Sequence, residues 1–167
     1  MSESRVLTAQ EVRELFEYNN LTGELKWKTT GKGRKLNKIA GSKDRHGYLQ
    51  TRIHKKIYFN HRLIWLHVYG EWPQQVIDHI DGNPLNNKIQ NLRDVSRRTN
   101  QENQRKAASS NKTTKLLGSS LNKSTGKYVS TIQVNKKTIY LGLFKTPEEA
   151  HQKYLQAKRE LHQGATI

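Results

Sequence analysis

The chain has 167 residues, of which 33% are hydrophobic, and 30 Lys and Arg against 14 Asp and Glu leave a net charge of +16. It has no cysteine, which excludes disulfide scaffolds, thiol catalysis and Cys-ligated zinc. So large a basic excess points to a polyanion partner, most simply nucleic acid, because each neutralised phosphate releases condensed counterion.

The mean hydropathy of −0.93 is low for one large core and fits several thin modules. The N-terminus, MSESRVLTAQEV, has no apolar signal segment, and no run of about 18 apolar residues occurs, so a soluble, intracellular protein is expected.

Thr8 to Glu17 reads as a short helix, with Thr8 as cap, Glu11 completing a capping box, and Val12, Leu15 and Phe16 on one face. A turn at Thr22-Gly23 leads into a strand with Leu25 and Trp27 on one side. Residues 30–47 are basic, glycine-rich and without pattern. They suit either a solvated connection or a phosphate-contacting loop using Lys32, Arg34 and Lys35. GYLQTRI and KIYFN form a hairpin around His54-Lys55-Lys56. HRLIWLHVYG is a helix stopped by Gly70, with Trp65 and Trp72 assigned to the core.

The next stretch, QVIDHIDGNPLNNKIQNLRDVSRRTNQENQ, reads as strand, turn, strand and helix. Asp78 and a helical Asn100 could meet as hard oxygen ligands for Mg²⁺ or Mn²⁺, with His79 beside them as general base. Adjacent strand residues face opposite ways, so Asp78 and His79 serve one site only if the strand ends or twists there. Taken singly, Asp81, Asn83, Asn86 and Asn87 suit turns and caps.

Residues 106–115 read as a linker. Beyond it, KYVSTIQVN and KTIYLGLF are strands around Asn135-Lys136-Lys137. TPEEAHQKYLQAKRELHQG is a helix capped by Thr146, with Ala150, Tyr154, Ala157 and Leu161 inward and Gly164 at its end. Residues 105–167 carry 12 basic and 3 acidic side chains, so the smaller C-terminal part is the more densely basic.

The segment HRLIWLHVYGEWPQQVIDHIDGNPLNNKIQNLRDVSRRTNQEN resembles the HNH nucleases of phages, a branch of the ββα-metal (His-Me finger) fold that includes homing endonucleases. The resemblance is carried by His-Arg-Leu opening a helix, Asp-His-x-Asp-Gly-Asn, Asn-Asn-x-x-x-Asn-Leu and a later helical Asn. It implies that Asp78 and Asn100 bind one divalent metal ion, Mg²⁺ or Mn²⁺. It also implies that His79 activates water, and that Asn91 braces the strands and orients His79. The implied chemistry is hydrolysis of phosphodiesters in double-stranded DNA to a 5′ phosphate and a 3′ hydroxyl. One site per chain favours nicking by a monomer, and a double-strand break would need a dimer or two cuts. A phage-encoded enzyme of this kind would act in the cytoplasm of a bacterial host.

The tail, from GSSLNKSTGKYVS to the end of the helix, resembles the plant ethylene-response-factor (Apetala-type) DNA-binding domain. That domain implies a sheet laid in the major groove, with Ser120, Asn122, Lys127, Thr131, Gln133, Thr138 and Tyr140 toward DNA. Plant members carry arginines and tryptophans on that face, so their target sequence does not carry over.

The expected fold is α+β. Residues 1–60 form an N-terminal helix and β-rich extension, 61–105 a ββα-metal core, 106–115 a linker, and 116–167 a small three-stranded antiparallel sheet with one helix. Two other readings stand beside the homing-type nuclease: a non-catalytic DNA-binding regulator, and a restriction or defence nuclease of the same fold.

Overall fold

A computed structural model describes residues 6–166. The structure is α+β and divides into two compact units, Met1–Val95 and Ser96–Ile167.

In the first unit, α1 (Ala9–Leu15) starts at Thr8, whose side chain and Glu11 form the expected capping box. The helix ends earlier than its apolar pattern suggests. Phe16 already belongs to β1 (Phe16–Asn19), which pairs antiparallel with β2 (Glu24–Trp27). The tertiary pairing decides this: Phe16 lies opposite Trp27 with ring centroids 4.4 Å apart, and both are buried. Within residues 30–47, where no pattern was visible, β3 (Ser42–Lys43) pairs with β4 (Leu49–Ile53). β4 pairs in turn with β5 (Lys56–Phe59) around His54 and Lys55, both at positive φ.

Helix α2 (Asn60–Tyr69) follows directly and stops at left-handed Gly70. Leu63, Ile64 and Leu66 enter the core with Val12, Phe16, Leu25 and Ile53. Trp65 and Trp72 pack against this core only partly buried, and Trp72 Nε1 donates to Leu7 O at 3.1 Å. Buried Asn60 accepts from Thr51 Oγ1 at 2.8 Å and donates to Ala40 O at 2.9 Å, tying α2 to the sheet and the loop before it. The unit closes with the hairpin β6 (Val76–His79) and β7 (Leu92–Val95).

The second unit begins with α3 (Arg97–Glu102), capped by Ser96. Residues 96–105 therefore belong with the C-terminal part of the chain, ahead of the linker expected at 106–115. β8 (Ser119–Asn122), β9 (Lys127–Val134) and β10 (Lys137–Phe144) form an antiparallel sheet in the order β10-β9-β8. α4 (Pro147–Leu161), with its Thr146–Glu149 capping box, packs across that sheet. Ser130, Ile132, Ala150 and Ala157 are buried between them. Gly118 has φ +66°, and a Cβ there would stand 2.0 Å from the Tyr154 ring, so only glycine permits this approach. Leu161, expected inward, is 39% exposed, and the buried place belongs to Lys158 at 0%. Lys158 Nζ donates to Gln104 O and lies 5.9 Å from the Tyr154 ring centroid, so the helix buries this stem where its end meets the segment after α3. Among the described residues, no helix is long and apolar enough to cross a membrane.

Candidate active site

β6 ends at His79, where the chain turns and Gly82 N donates to His79 O at 2.8 Å. Asp78 and His79 are 5% and 4% exposed. Asp78 lies opposite Arg93 on β7, and that register sets an ion pair: Arg93 Nε and Nη2 both donate to Asp78 Oδ2, at 2.9 and 2.7 Å. His79 lies opposite Leu92, and its Nε2 meets Asn87 Oδ1 at 2.9 Å. A carboxamide oxygen only accepts, so Nε2 carries the proton and Nδ1 presents the lone pair.

Burial pushes the His79 imidazole below its ordinary pKa, against the opposing pull of the Asn87 hydrogen bond and of Asp81 and Asp78. The ring sits in an aromatic setting. His61 stands edge-on at 5.2 Å between centroids, Tyr48 lies at 5.8 Å, and Phe59 stacks on His61 at 5.3 Å. Burial, then His79 and Arg62, push His61 down to about 3, so it stays neutral. Burial, then the charges of Asp78 and Asp44, push the Tyr48 phenol up. Tyr48 is thus a neighbour of both Asp78 and His79, although the two belong to opposite sides of the strand.

The turn between the strands is a lattice of carboxamides. Asn91 Nδ2 donates to Asp81 Oδ1 at 2.9 Å and to Asn86 O at 2.8 Å, while Asn91 Oδ1 accepts from Asp81 N at 3.0 Å. Burial raises the Asp81 pKa, but hydrogen bonds from Asn86, Asn83 and Asn91 outweigh it and hold the carboxylate below its ordinary value. Asn91 thus spans the turn, and Asn87 is a direct partner of His79. Asn87 is 1% exposed and was legible only as a turn residue. The N-terminal hairpin holds its backbone. Tyr18 Oη donates to Asn87 O at 3.2 Å and accepts from Ile89 N at 2.8 Å. Gly23 approaches so closely that a Cβ would stand 2.6 Å from Lys88 N.

Asn100 lies on α3 in the second unit, half-buried, and among the described residues no hydrogen bond occupies its carboxamide. Among the described residues, no group of three or more His, Cys, Asp or Glu side chains is placed to hold a metal. By type, the Asp78 carboxylate and the Asn100 carboxamide are each hard oxygen donors. Donors of this type suit Mg²⁺ or Mn²⁺, which keep several waters, rather than a closed zinc cage.

The predicted contact residues also have defined places. Lys32 and Lys35 are exposed, and the Arg34 guanidinium lies 4.8 Å over the Trp27 ring. Lys32 and Arg34 line a groove of about 770 Å³ with Arg52 and Lys55, two basic residues that the sequence did not single out. In the second unit, Thr131 pairs with Tyr140, Gln133 with Thr138, Lys127 with Asn122, and Val129 with Ser120. Paired residues share a face, so all seven predicted sheet residues stand on the side opposite buried Ser130 and Ile132.

Residues 58–102 match the HNH endonuclease family, a stretch that contains β6, β7 and α3. One solved chain, from work on DNA binding and cleavage by the HNH homing endonuclease I-HmuI, aligns at 22% identity. The alignment covers 89% of this chain and 88% of that one, with a TM-score of 0.40. No curated protein matches the chain.

Proposed function

We propose that the protein is a metal-dependent, site-recognising DNA endonuclease of phage homing type that nicks one strand at a time. The observation that carries this reading is the buried His79 imidazole, whose Nε2 meets Asn87 Oδ1 at 2.9 Å. Depressed basicity keeps it neutral near pH 7, the form a general base needs. His79 Nδ1 takes a proton from water as that oxygen attacks phosphorus, and the bond to the 3′ oxygen breaks. The imidazolium so formed is favoured by the nearby charges of Asp81 and Asp78. Asp78 and Asn100 would hold one Mg²⁺ or Mn²⁺. When bound, the ion stabilises negative charge on the phosphoryl and departing oxygens. Arg93 steadies Asp78 through their ion pair, and Asn91 keeps the turn in shape.

The sheet of the second unit is proposed to lie in the major groove as an Apetala-type reader. Its polar face is supported by the strand register, and the net charge of +16 favours a polyanion. Supercoiled plasmid incubated with Mg²⁺ or Mn²⁺, with EDTA and His79→Ala as controls, tests the reading. Open circles that form only with metal and only with His79 are expected. Tight binding with DNA left intact, on plasmids that include the natural target, would overturn it.

A further inference from the structure

At six residues, α3 is too short to be stable alone, so its position depends on what it packs against. Within the second unit its C-terminal end is gripped by the end of α4 and the tail beyond. Gly164 N donates to Glu102 Oε2 at 3.0 Å, and Thr166 Oγ1 donates to Asn103 Oδ1 at 2.6 Å. Buried Lys158 donates to Gln104 O. Glu102 is only 8% exposed, and the peptide N–H of Gly164 and the Arg98 guanidinium are what keep its charge satisfied.

The tightest point is steric. A Cβ on Gly164 would stand 2.2 Å from Thr99 O, and Thr99 immediately precedes Asn100. Gly164 does not have the left-handed backbone that demands glycine, so it answers a need for space beside α3. Neither Gly164 nor Glu102 lies on the polar face of the sheet.

We infer that the tail after α4 is a positioning element of the cleavage site: through Gly164 and Glu102 it fixes α3, and so fixes where the Asn100 carboxamide stands. This rests on the reading of Asn100 as a metal ligand. The C-terminal part is then more than a DNA reader on a flexible tether, because the same compact unit that carries the reading sheet also holds a ligand of the metal.

The test compares full-length wild type, Gly164→Ala, Thr166→Val and Asn100→Ala. Nicking is followed on supercoiled plasmid with Mn²⁺, Mn²⁺ binding by electron paramagnetic resonance, plasmid affinity in EDTA by gel shift, and backbone order by amide hydrogen exchange. A displacement of about 1 Å at a catalytic group costs on the order of 100-fold in rate, and this is the loss of kcat expected for Gly164→Ala. Its Mn²⁺ affinity should fall about 10- to 100-fold, as for other lost supports of a ligand. Plasmid affinity in EDTA and the exchange protection of β8–β10 should stay as in the wild type. Thr166→Val, which removes a hydroxyl without adding bulk, should move kcat and Mn²⁺ affinity in the same direction by less. It decides the matter should Gly164→Ala lose the protection of β8–β10. Wild-type nicking and Mn²⁺ binding in both variants, with Asn100→Ala inactive, would overturn the inference alone. An Asn100→Ala protein that binds Mn²⁺ and nicks normally would overturn the ligand reading, and this inference with it.

Discussion

The β6–β7 hairpin and the β8–β10 sheet use the same kinds of side chain for opposite ends. In the hairpin, Asp78, His79, Asn87 and Asn91 are all buried, and each carries hydrogen bonds or an ion pair. In the sheet, Gln133, Thr138 and Tyr140 are exposed, with Tyr140 at 62%. Buried polar groups must be satisfied, so the hairpin's network over-determines where each group sits, and that is what acid–base chemistry requires. Exposed polar groups keep rotamer freedom and water, and they are available to an incoming surface. On the proposed function, the first region is preorganised for a reaction and the second is open to an incoming surface.

The sharpest contrast should come from His79→Ala. Cleavage should fall by about 10² to 10⁴, the usual worth of a positioned general base, while gel-shift affinity for DNA holds. A comparable loss of affinity would erase the distinction between the two regions. Next is Asn87→Leu, which removes the hydrogen bond between Asn87 Oδ1 and buried His79 Nε2 at a cost of about 1–3 kcal/mol. Nicking should slow by about 10- to 100-fold with DNA binding intact, since each 1.36 kcal/mol is tenfold in rate. Asn91→Ala should act mainly on the turn, lowering stability in urea melts by about 1–3 kcal/mol.

On the exposed side, Gln133→Ala or Tyr140→Ala should weaken DNA binding by about 1–3 kcal/mol and leave kcat at saturating DNA unchanged. Lys127→Ala should do least, lowering the slope of log affinity against log salt by about 0.9.

The buried region should also respond to acid where the exposed one does not. His61 has a folded pKa of about 3 against an ordinary 6.5, so between these values the unfolded chain binds the extra proton. Stability is therefore fully present above pH 6.5 and is lost as pH falls toward 3, by up to about 1.4 kcal/mol per pH unit for this one group. Urea melts across that window should show a shallower loss for His61→Phe. An unchanged slope would mean that His61 is not buried as a neutral ring.

The fold is legible in the sequence where the signal is local. Both capping boxes, the turn at His54-Lys55, the strand before the Asp-Gly turn and the alternating face of β9 follow from residues within a few positions of one another. The role of Asn87 was not legible, because its place is made by Tyr18 and Gly23, whose partners lie more than 60 residues away. Singly, Asn87 is indistinguishable from Asn83 or Asn86, which do serve the turn. Lys158 is buried for a related reason. Helical periodicity cannot foresee that a lysine stem will be buried where its ammonium finds the Gln104 carbonyl.

The α+β class, most of the helices and strands, the basic charge and the Asp-His pair with its downstream Asn residues can be read from the chain alone. All of these rest on residue identity and short-range spacing. That Phe16 leaves the helix for a strand, that Asn87 is an acceptor for His79, and that α3 joins the C-terminal unit at Gly164 follow from packing across the fold. Each of those depends on which distant backbone comes within hydrogen-bonding or van der Waals reach, and long-range packing sets that where local preference cannot.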